Sequence, residues 1–224
     1  MKRLLVIPAR SGSKRIKNKN FKNFKGSPII SYSILTALKS KIFDKIVVSV
    51  DNKKYTKYLK KFKIEISYRS RKLSKDNTST EDVLKSIIKE FEKSNNYFDE
   101  IWSFAPCSPL IKKEDLIKAS ILLKKNKKKI ILPVSEYLAP IEWSFKMSKQ
   151  NRLIPFKKNL YKIRSQDLPK SYHDTGNFVG IPIHHFKKKN IDFDKHYVGL
   201  KIPKSRSVDI DDLEDWKIAE KLYR

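Results

Sequence analysis

Cysteine is nearly absent: one residue, Cys107, among 224, which excludes an intramolecular disulfide. Long apolar runs are absent too. Nothing approaches the roughly 18 consecutive apolar residues of a membrane-spanning helix, so no membrane partner is expected. The apolar part of Met1–Pro8 is too short for a secretion signal, so the expected compartment is the reducing cytoplasm. Neither G-x-G-x-x-G nor Gly-Lys-Ser/Thr occurs, which excludes the dinucleotide fingerprint and the Walker A loop. Acidic residues are few, 24 Asp+Glu against 51 Lys+Arg, for a net charge of +27.

That excess suggests nucleic acid, but its make-up argues otherwise. Lysines number 42 and arginines 9, whereas base readout and stacking favour Arg. The lysines run along the whole chain, as a solvated surface would. Nucleic acid is therefore not the expected partner, although such a field draws in anionic substrates. Hydrophobic residues at 39% and aromatics at 11% supply a core, so wholesale disorder is not expected.

Strands and helices alternate. Arg3–Pro8, Lys45–Val50, Glu65–Tyr68, Glu100–Ala105 and Ile130–Val134 read as strands. Ser27 and Pro28 read as the cap and first residue of a helix, with Ile30, Ile34 and Leu38 on one face. Tyr55–Phe62 and Glu114–Asn126 also read as helices. Thr80 is the expected cap of a helix whose face carries Val83, Ile87 and Phe91. Asn177–Ile181, Val198–Ile202 and Ser207–Ile210 read as late strands, and Asp212 opens a last helix. The pattern predicts an α/β fold, a mainly parallel sheet covered by helices on both faces, as one domain over residues 1–224. Ser135–Thr175 lacks a clear period and holds Pro140, Pro155 and Pro169. It reads as an insertion whose strands pack on a partner subunit.

The most informative segment is the loop Ala9-Arg10-Ser11-Gly12-Ser13-Lys14, continued by Lys19 and Asn20. A strand ending in small residues lets backbone N–H groups approach phosphates, and Arg10, Lys14 and Lys19 add positive charge. The same residues also suit a plain strand-to-helix turn with exposed lysines. Near the other end, Asp209 and Asp211 flank Ile210. On a strand, residues i and i+2 point the same way, so both carboxylates would face one site. Such a pair offers hard oxygens suited to Mg²⁺. Asp212 and Asp215 suit a helix start instead.

The loop, together with Arg69, Asp76, Thr78 and Thr80 and the closing Asp209-Ile210-Asp211, resembles the cytidylyltransferases that activate eight- and nine-carbon ulosonic acids. The resemblance spans residues 3 to about 223. It implies a Rossmann-like nucleotidyltransferase fold, CTP as substrate, Mg²⁺ as cofactor and a homodimer. It implies CTP binding by Ala9, Arg10, Ser11, Gly12, Ser13, Lys14, Asn20, Arg69, Asp76 and Thr78. Catalysis falls to Arg10, Lys14, Lys19 and Asp211, and metal binding to Asp209 and Asp211. Ser70 stands where the family usually has Pro.

Sugar contacts are implied for Thr80, Arg164, Gln166, Tyr172, His173 and Asp174. Arg164-Ser165-Gln166-Asp167-Leu168 and the Tyr172–Phe178 segment look most like the enzymes acting on pseudaminic acid. Ala105 replaces a Gln found in the sialic acid enzymes. Val179 replaces a Tyr usual in the pseudaminic acid ones, so N-acetylneuraminic and legionaminic acids stay open as substrates. The eight-carbon Kdo fits the Tyr172–Phe178 segment poorly.

Overall fold

The structure, a computed structural model, describes residues 1–75, 78–126, 129–187 and 196–224. Its centre is β1 (Arg3–Ala9), in which Leu4, Leu5, Val6 and Ile7 are all fully buried. Side chains alternate along a strand, so each face of β1 serves a different core. Leu5, Ile7 and Ala9 pack with α1 (Ile30–Ser40) and α4 (Lys113–Lys125). Leu4 and Val6 pack with Val83, Leu84 and Ile87 of α3 (Thr80–Lys93). A continuous apolar strand covered on both faces is the expected signature of a parallel sheet.

Parallel to β1 run β4 (Lys45–Val50) and β6 (Glu100–Phe104), with β5 (Glu65–Tyr68) beyond β4. On the other side, β11 (Phe178–Pro182) runs antiparallel to β6 and joins it to β7 (Ile130–Glu136). β12 (Tyr197–Lys201) pairs parallel with β7, and β10 (Tyr172–Asp174) pairs antiparallel with it. The sheet is thus mixed and mainly parallel. Between β10 and β11 the register slips. Asp174 lies opposite Val134 and Gly180 opposite Ile131, so six steps along one strand match three along the other. The slack falls at Thr175–Asn177, where Gly176 has a φ of +67°.

A third apolar cluster joins the two ends of the chain. Ile16, Phe24 and Ile29 pack there with Ile210, Trp216 and Ala219, the last two on α5 (Leu213–Leu222). Asp212 and Asp215 form the capping box that starts α5.

Four expectations are corrected. Ser27 and Pro28 do not open α1; they form the short strand β3, paired with β2 (Asn23–Phe24). Lys25 and Gly26 adopt positive φ between them, the geometry of a tight hairpin turn. Ser79, not Thr80, caps α3, its hydroxyl accepting the Asp82 N–H at 3.1 Å. The helix expected over Tyr55–Phe62 is only α2 (Thr56–Leu59), entered through a 3-10 turn at Lys53–Tyr55. Ser207–Ile210 is not a strand, although Ile210 is buried as the alternation required.

The Ser135–Thr175 segment starts inside β7 and ends just past β10. Between them lies a hairpin of β8 (Phe145–Met147) and β9 (Leu153–Pro155). Its apolar side chains face outward: Met147 is 68% exposed and Leu153 60%, and Leu138 before the hairpin 89%.

Candidate active site

A cavity of about 470 Å³ opens at the carboxyl ends of β1 and β6, where open α/β sheets bind ligands. Arg10, Ser13, Lys14, Lys19, Asn20, Arg69, Thr78 and Thr80 line it, with Asp209 and Asp211. The structure therefore brings together the basic loop, the Arg69 segment and the paired carboxylates. Asp76 lies outside the described residues.

The loop is held from behind. Asp51, at the end of β4, accepts the Ser11 N–H at 2.9 Å and the Ser11 hydroxyl at 2.8 Å. Ser11 is thus turned toward Asp51, and buried Ala9 ends β1 behind it; Gly12 lies between Ser11 and Ser13. Asn20 is buried, and its amide donates to the Arg10 carbonyl at 2.8 Å. Its Oδ1 accepts the Cys107 thiol at 3.1 Å. Asn20 and Asp51 together fix the path of Arg10. Burial pushes the Cys107 thiol up to about 12, so it stays protonated.

Arg69 is pinned beside β4. Its Nε donates to Ser49 Oγ at 3.0 Å and its Nη2 to the Ser49 carbonyl at 3.2 Å. Burial holds its pKa below the usual guanidinium range; the Asp51 charge opposes that shift and Arg10 adds to it. A cation burdened in this way favours an anionic ligand.

The acidic segment is tied to the loop. Lys19 Nζ donates to the Ile210 carbonyl at 2.5 Å and lies 3.6 Å from Asp211 Oδ1. Arg15 Nη2 lies 2.9 Å from Asp211 Oδ2. The Asp211 N–H donates to Asp215 at 2.9 Å. Burial pushes the Asp209 carboxyl above its ordinary pKa, with the Asp211 charge adding and Lys19 relieving. Two crowded carboxylates facing a cavity are a donor set that fits a divalent cation. A Cβ on Gly176 would stand 3.2 Å from Asp209 Oδ2, so the slip between β10 and β11 keeps room for that carboxylate.

A second cavity, also about 470 Å³, adjoins the first and shares Pro8, Thr80, Ala105 and Pro106 in its wall. Leu84, Leu132, Phe178 and Ile181 give it an apolar wall; Ser103, Asp174 and Asn177 add polar groups. Asn177 Nδ2 donates to Ser108 at 3.1 Å, while its buried Oδ1 has no hydrogen-bond partner among the described residues.

Of the expected sugar contacts, Thr80 and Asp174 line this second cavity. The other four lie elsewhere in the subunit. Arg164 is exposed and pairs with Asp167 at 3.0 Å. Gln166 lines a smaller hollow beside Glu136 and Lys204. The His173 ring packs 5.0 Å from that of Tyr137, and Tyr172 lies under Lys201. Arg15, Asp51 and Cys107 carry contacts that reading the sequence did not assign. A strand ending in Asp51 beside the loop strand was the available signal for one of them.

A cytidylyltransferase family model matches residues 4–218. The chain belongs to that family. This cytidylyltransferase is 34% identical, over 100% of its length and 97% of the relative's, to a pseudaminic acid cytidylyltransferase of Campylobacter jejuni subsp. jejuni serotype O:2. It is 28% identical to a CMP-N,N'-diacetyllegionaminic acid synthase of Legionella pneumophila, over 99% of this chain and 96% of the relative. In fold it is similar to a solved CMP:2-keto-3-deoxy-manno-octonic acid synthetase complexed with CTP. The TM-score is 0.74 with 13% identity, covering 99% and 98% of the two chains. The enzyme is thus a nucleotidyltransferase. No helix among its described residues is long and apolar enough to cross a membrane.

Proposed function

We propose that the enzyme transfers CMP from CTP to the anomeric hydroxyl of a nonulosonic acid, pseudaminic acid first among them, and releases pyrophosphate. The observation that carries this reading is one cavity lined by Arg10, Lys14 and Arg69 together with Asp209 and Asp211, beside a second, less polar one. The 34% identity to a pseudaminic acid enzyme supports the choice of sugar.

The sugar hydroxyl gives up its proton to solvent as its oxygen bonds the α-phosphorus, and the bond from that phosphorus to the pyrophosphate oxygen breaks. Such chemistry rests on positioning and charge neutralisation. Arg10 and Lys14 hold the triphosphate and offset charge gathering on the leaving pyrophosphate. Lys19 does so while fixing the acidic segment. Arg69 and Thr78, with Asn20 behind them, form the nucleoside side, and Asp76 belongs with them by its place in the sequence. Asp209 and Asp211 would hold Mg²⁺, with phosphate oxygens and water completing its shell. The bound ion supplies Lewis-acid charge neutralisation. Among the described residues no group of three or more His, Cys, Asp or Glu side chains is placed to hold a metal ion.

The sugar takes the second cavity, with Thr80, Asp174 and Asn177 as polar contacts. The outward-facing hairpin of the Ser135–Thr175 segment packs on a second copy in a homodimer. That contact brings Arg164, Gln166, Tyr172 and His173 toward the neighbouring sugar site. The work is done in the cytoplasm, where CTP is supplied.

The deciding experiment is pyrophosphate release from CTP and Mg²⁺ with pseudaminic, N-acetylneuraminic, legionaminic and Kdo acids in parallel. Turnover with pseudaminic acid above the others is expected. Turnover with a different acid moves the specificity and keeps the reaction; none with any acid overturns the reading.

A further inference from the structure

Between Asp51 and Glu65 the chain carries Lys53, Lys54, Lys57, Lys60, Lys61 and Lys63 and no acidic residue. All six side chains are exposed. None of the six ion-pairs with a carboxylate among the described residues. The two flanking acids are already engaged, Asp51 by Ser11 and Glu65 by Lys45 at 2.5 Å. Four of the lysines lie over aromatic rings instead, those of Tyr68, Tyr55, Tyr58 and Phe62, at 5.0 to 5.8 Å. Ring contacts hold the ammonium groups in place without cancelling their charge.

The position of this segment matters as much as its charge. It is the crossover from β4 to β5, leaving the carboxyl end of β4 at Asp51, which holds the phosphate loop, and returning to the amino end of β5 at Glu65, opposite Val47. Tyr55 stacks on Phe21 with ring centres 3.9 Å apart, and its hydroxyl donates to Asn18 at 2.7 Å. Asn18 immediately precedes Lys19 and Asn20 in the cavity wall. Lys53, Lys54 and Lys57, at the start of the crossover, therefore stand uncancelled beside the loop wall of the nucleotide cavity, Lys54 and Lys57 sharing a hollow with Asn18, while Lys60, Lys61 and Lys63 lie toward the amino edge of the sheet.

We propose that the start of this crossover, Asn52–Lys57, is a collecting surface for the nucleoside triphosphate. It speeds the capture of CTP and takes no part in the chemical step. The proposal rests on CTP being the substrate. Single-signed charge beside a cleft raises association rates by about 10- to 1,000-fold, and salt suppresses the gain. Screening over about 8 Å at physiological ionic strength leaves only charges near the entrance effective. Lysines at the amino edge of the sheet, such as Lys60, Lys61 and Lys63 of the same crossover or Lys124 and Lys125 at the end of α4, would add little.

The test compares two triple variants of equal net charge. One carries Lys53→Gln, Lys54→Gln and Lys57→Gln; the other carries Lys118→Gln, Lys124→Gln and Lys125→Gln on α4. The association rate of a fluorescent CTP analogue with Mg²⁺ is followed by stopped flow at about 20 mM and about 500 mM salt. The crossover variant should associate about 5- to 10-fold more slowly at low salt and within about 2-fold of wild type at high salt. Its dissociation rate and kcat should not change, and the α4 variant should match wild type throughout. Equal slowing in both variants, slowing that survives high salt, or no slowing overturns the proposal. So does sub-micromolar binding of a single-stranded RNA that the crossover variant loses, which would assign the surface to nucleic acid. A wild type that captures CTP but releases no pyrophosphate with any sugar acid defeats the proposed reaction and leaves the capture measurement intact. A wild type that does not bind CTP defeats both.

Discussion

Arg206 grips Asp115 with both arms of its guanidinium, Nη2 reaching Oδ1 at 3.0 Å and Nη1 bonding Oδ2. Asp115 is buried and also accepts the Lys112 N–H at 2.9 Å, at the start of α4. The pair fastens to the helix layer the stretch of chain that leads to Asp209 and Asp211. Removing one member of a buried pair leaves the other charge unmatched, which costs about 3 kcal/mol. Arg206→Ala should lose about that much in urea unfolding. Arg206→Lys should recover only part, because Lys cannot offer two parallel donors. An Arg206→Ala variant as stable as wild type would show that the pair contributes nothing.

Asp211→Ala should lower kcat/KM by at least about 100-fold, the scale on which charge-stabilising groups act, while circular dichroism stays unchanged. Chelating divalent ions from the wild type should bring it to a similar level. Near-normal turnover of the variant in excess Mg²⁺ would remove Asp211 from the site.

Asp51→Asn weakens the anchor of Ser11 without changing side-chain size. The loop then holds Arg10 less firmly, and kcat/KM for CTP should fall about 10-fold, the effect of losing about 1.4 kcal/mol of positioning. Unchanged kinetics would show that Asn20 alone fixes the loop.

Cys107 gives a prediction in pH. Its thiol is raised to about 12 in the folded chain from an ordinary value of 9.0. Folded and unfolded chains both keep the proton below pH 9, so the buried thiol's contribution is fully present there. As pH climbs toward 12 only the unfolded chain ionises, and stability falls by about 1.4 kcal/mol per pH unit from this group. Cys107→Ala should therefore unfold with a shallower loss of stability above pH 9 than wild type. Iodoacetamide at pH 8.5 should alkylate the native thiol at least about 100-fold more slowly than the urea-unfolded one, because reactivity follows the thiolate. Equal rates would contradict the burial.

Gly176→Ala should reduce turnover more than nucleotide affinity. The new methyl group would press on Asp209 at 3.2 Å in a backbone conformation, φ +67°, that side chains resist. The backbone strain alone costs about 1–2 kcal/mol. A variant with wild-type kcat would show that Asp209 can shift without consequence.

The central strands were legible because Leu4–Ile7 and Ile46–Val48 are continuous apolar runs, which a two-faced parallel sheet requires. The Arg10–Lys14 loop was legible for a related reason: small and basic residues directly follow such a strand. Ser27 and Pro28 misled because a good cap and a good first helical residue are also tolerable in a short hairpin. The deciding signal was the turn at Lys25 and Gly26. Asp209 and Asp211 reach one cavity without a strand, since extended chain alternates whether or not it is hydrogen-bonded in a sheet. The contacts from Ser11 to Asp51, Lys19 to Ile210 and Arg206 to Asp115 were not legible. Each joins residues far apart in the chain, and no local pattern marks them.

Lys19 and the carbonyl it holds on Ile210 are 191 positions apart. Their meeting sets an order of events during synthesis. The basic loop leaves the ribosome early, while the acidic segment follows only after every strand of the sheet has been made. Until then Lys19 has no carbonyl to hold, and Ile16 and Phe24 lack the Ile210 and Trp216 that bury them. A partly made chain can shape its central strands, yet it cannot assemble the paired carboxylates against the loop. On this architecture the two sides of the cavity come together only after the acidic segment has been made.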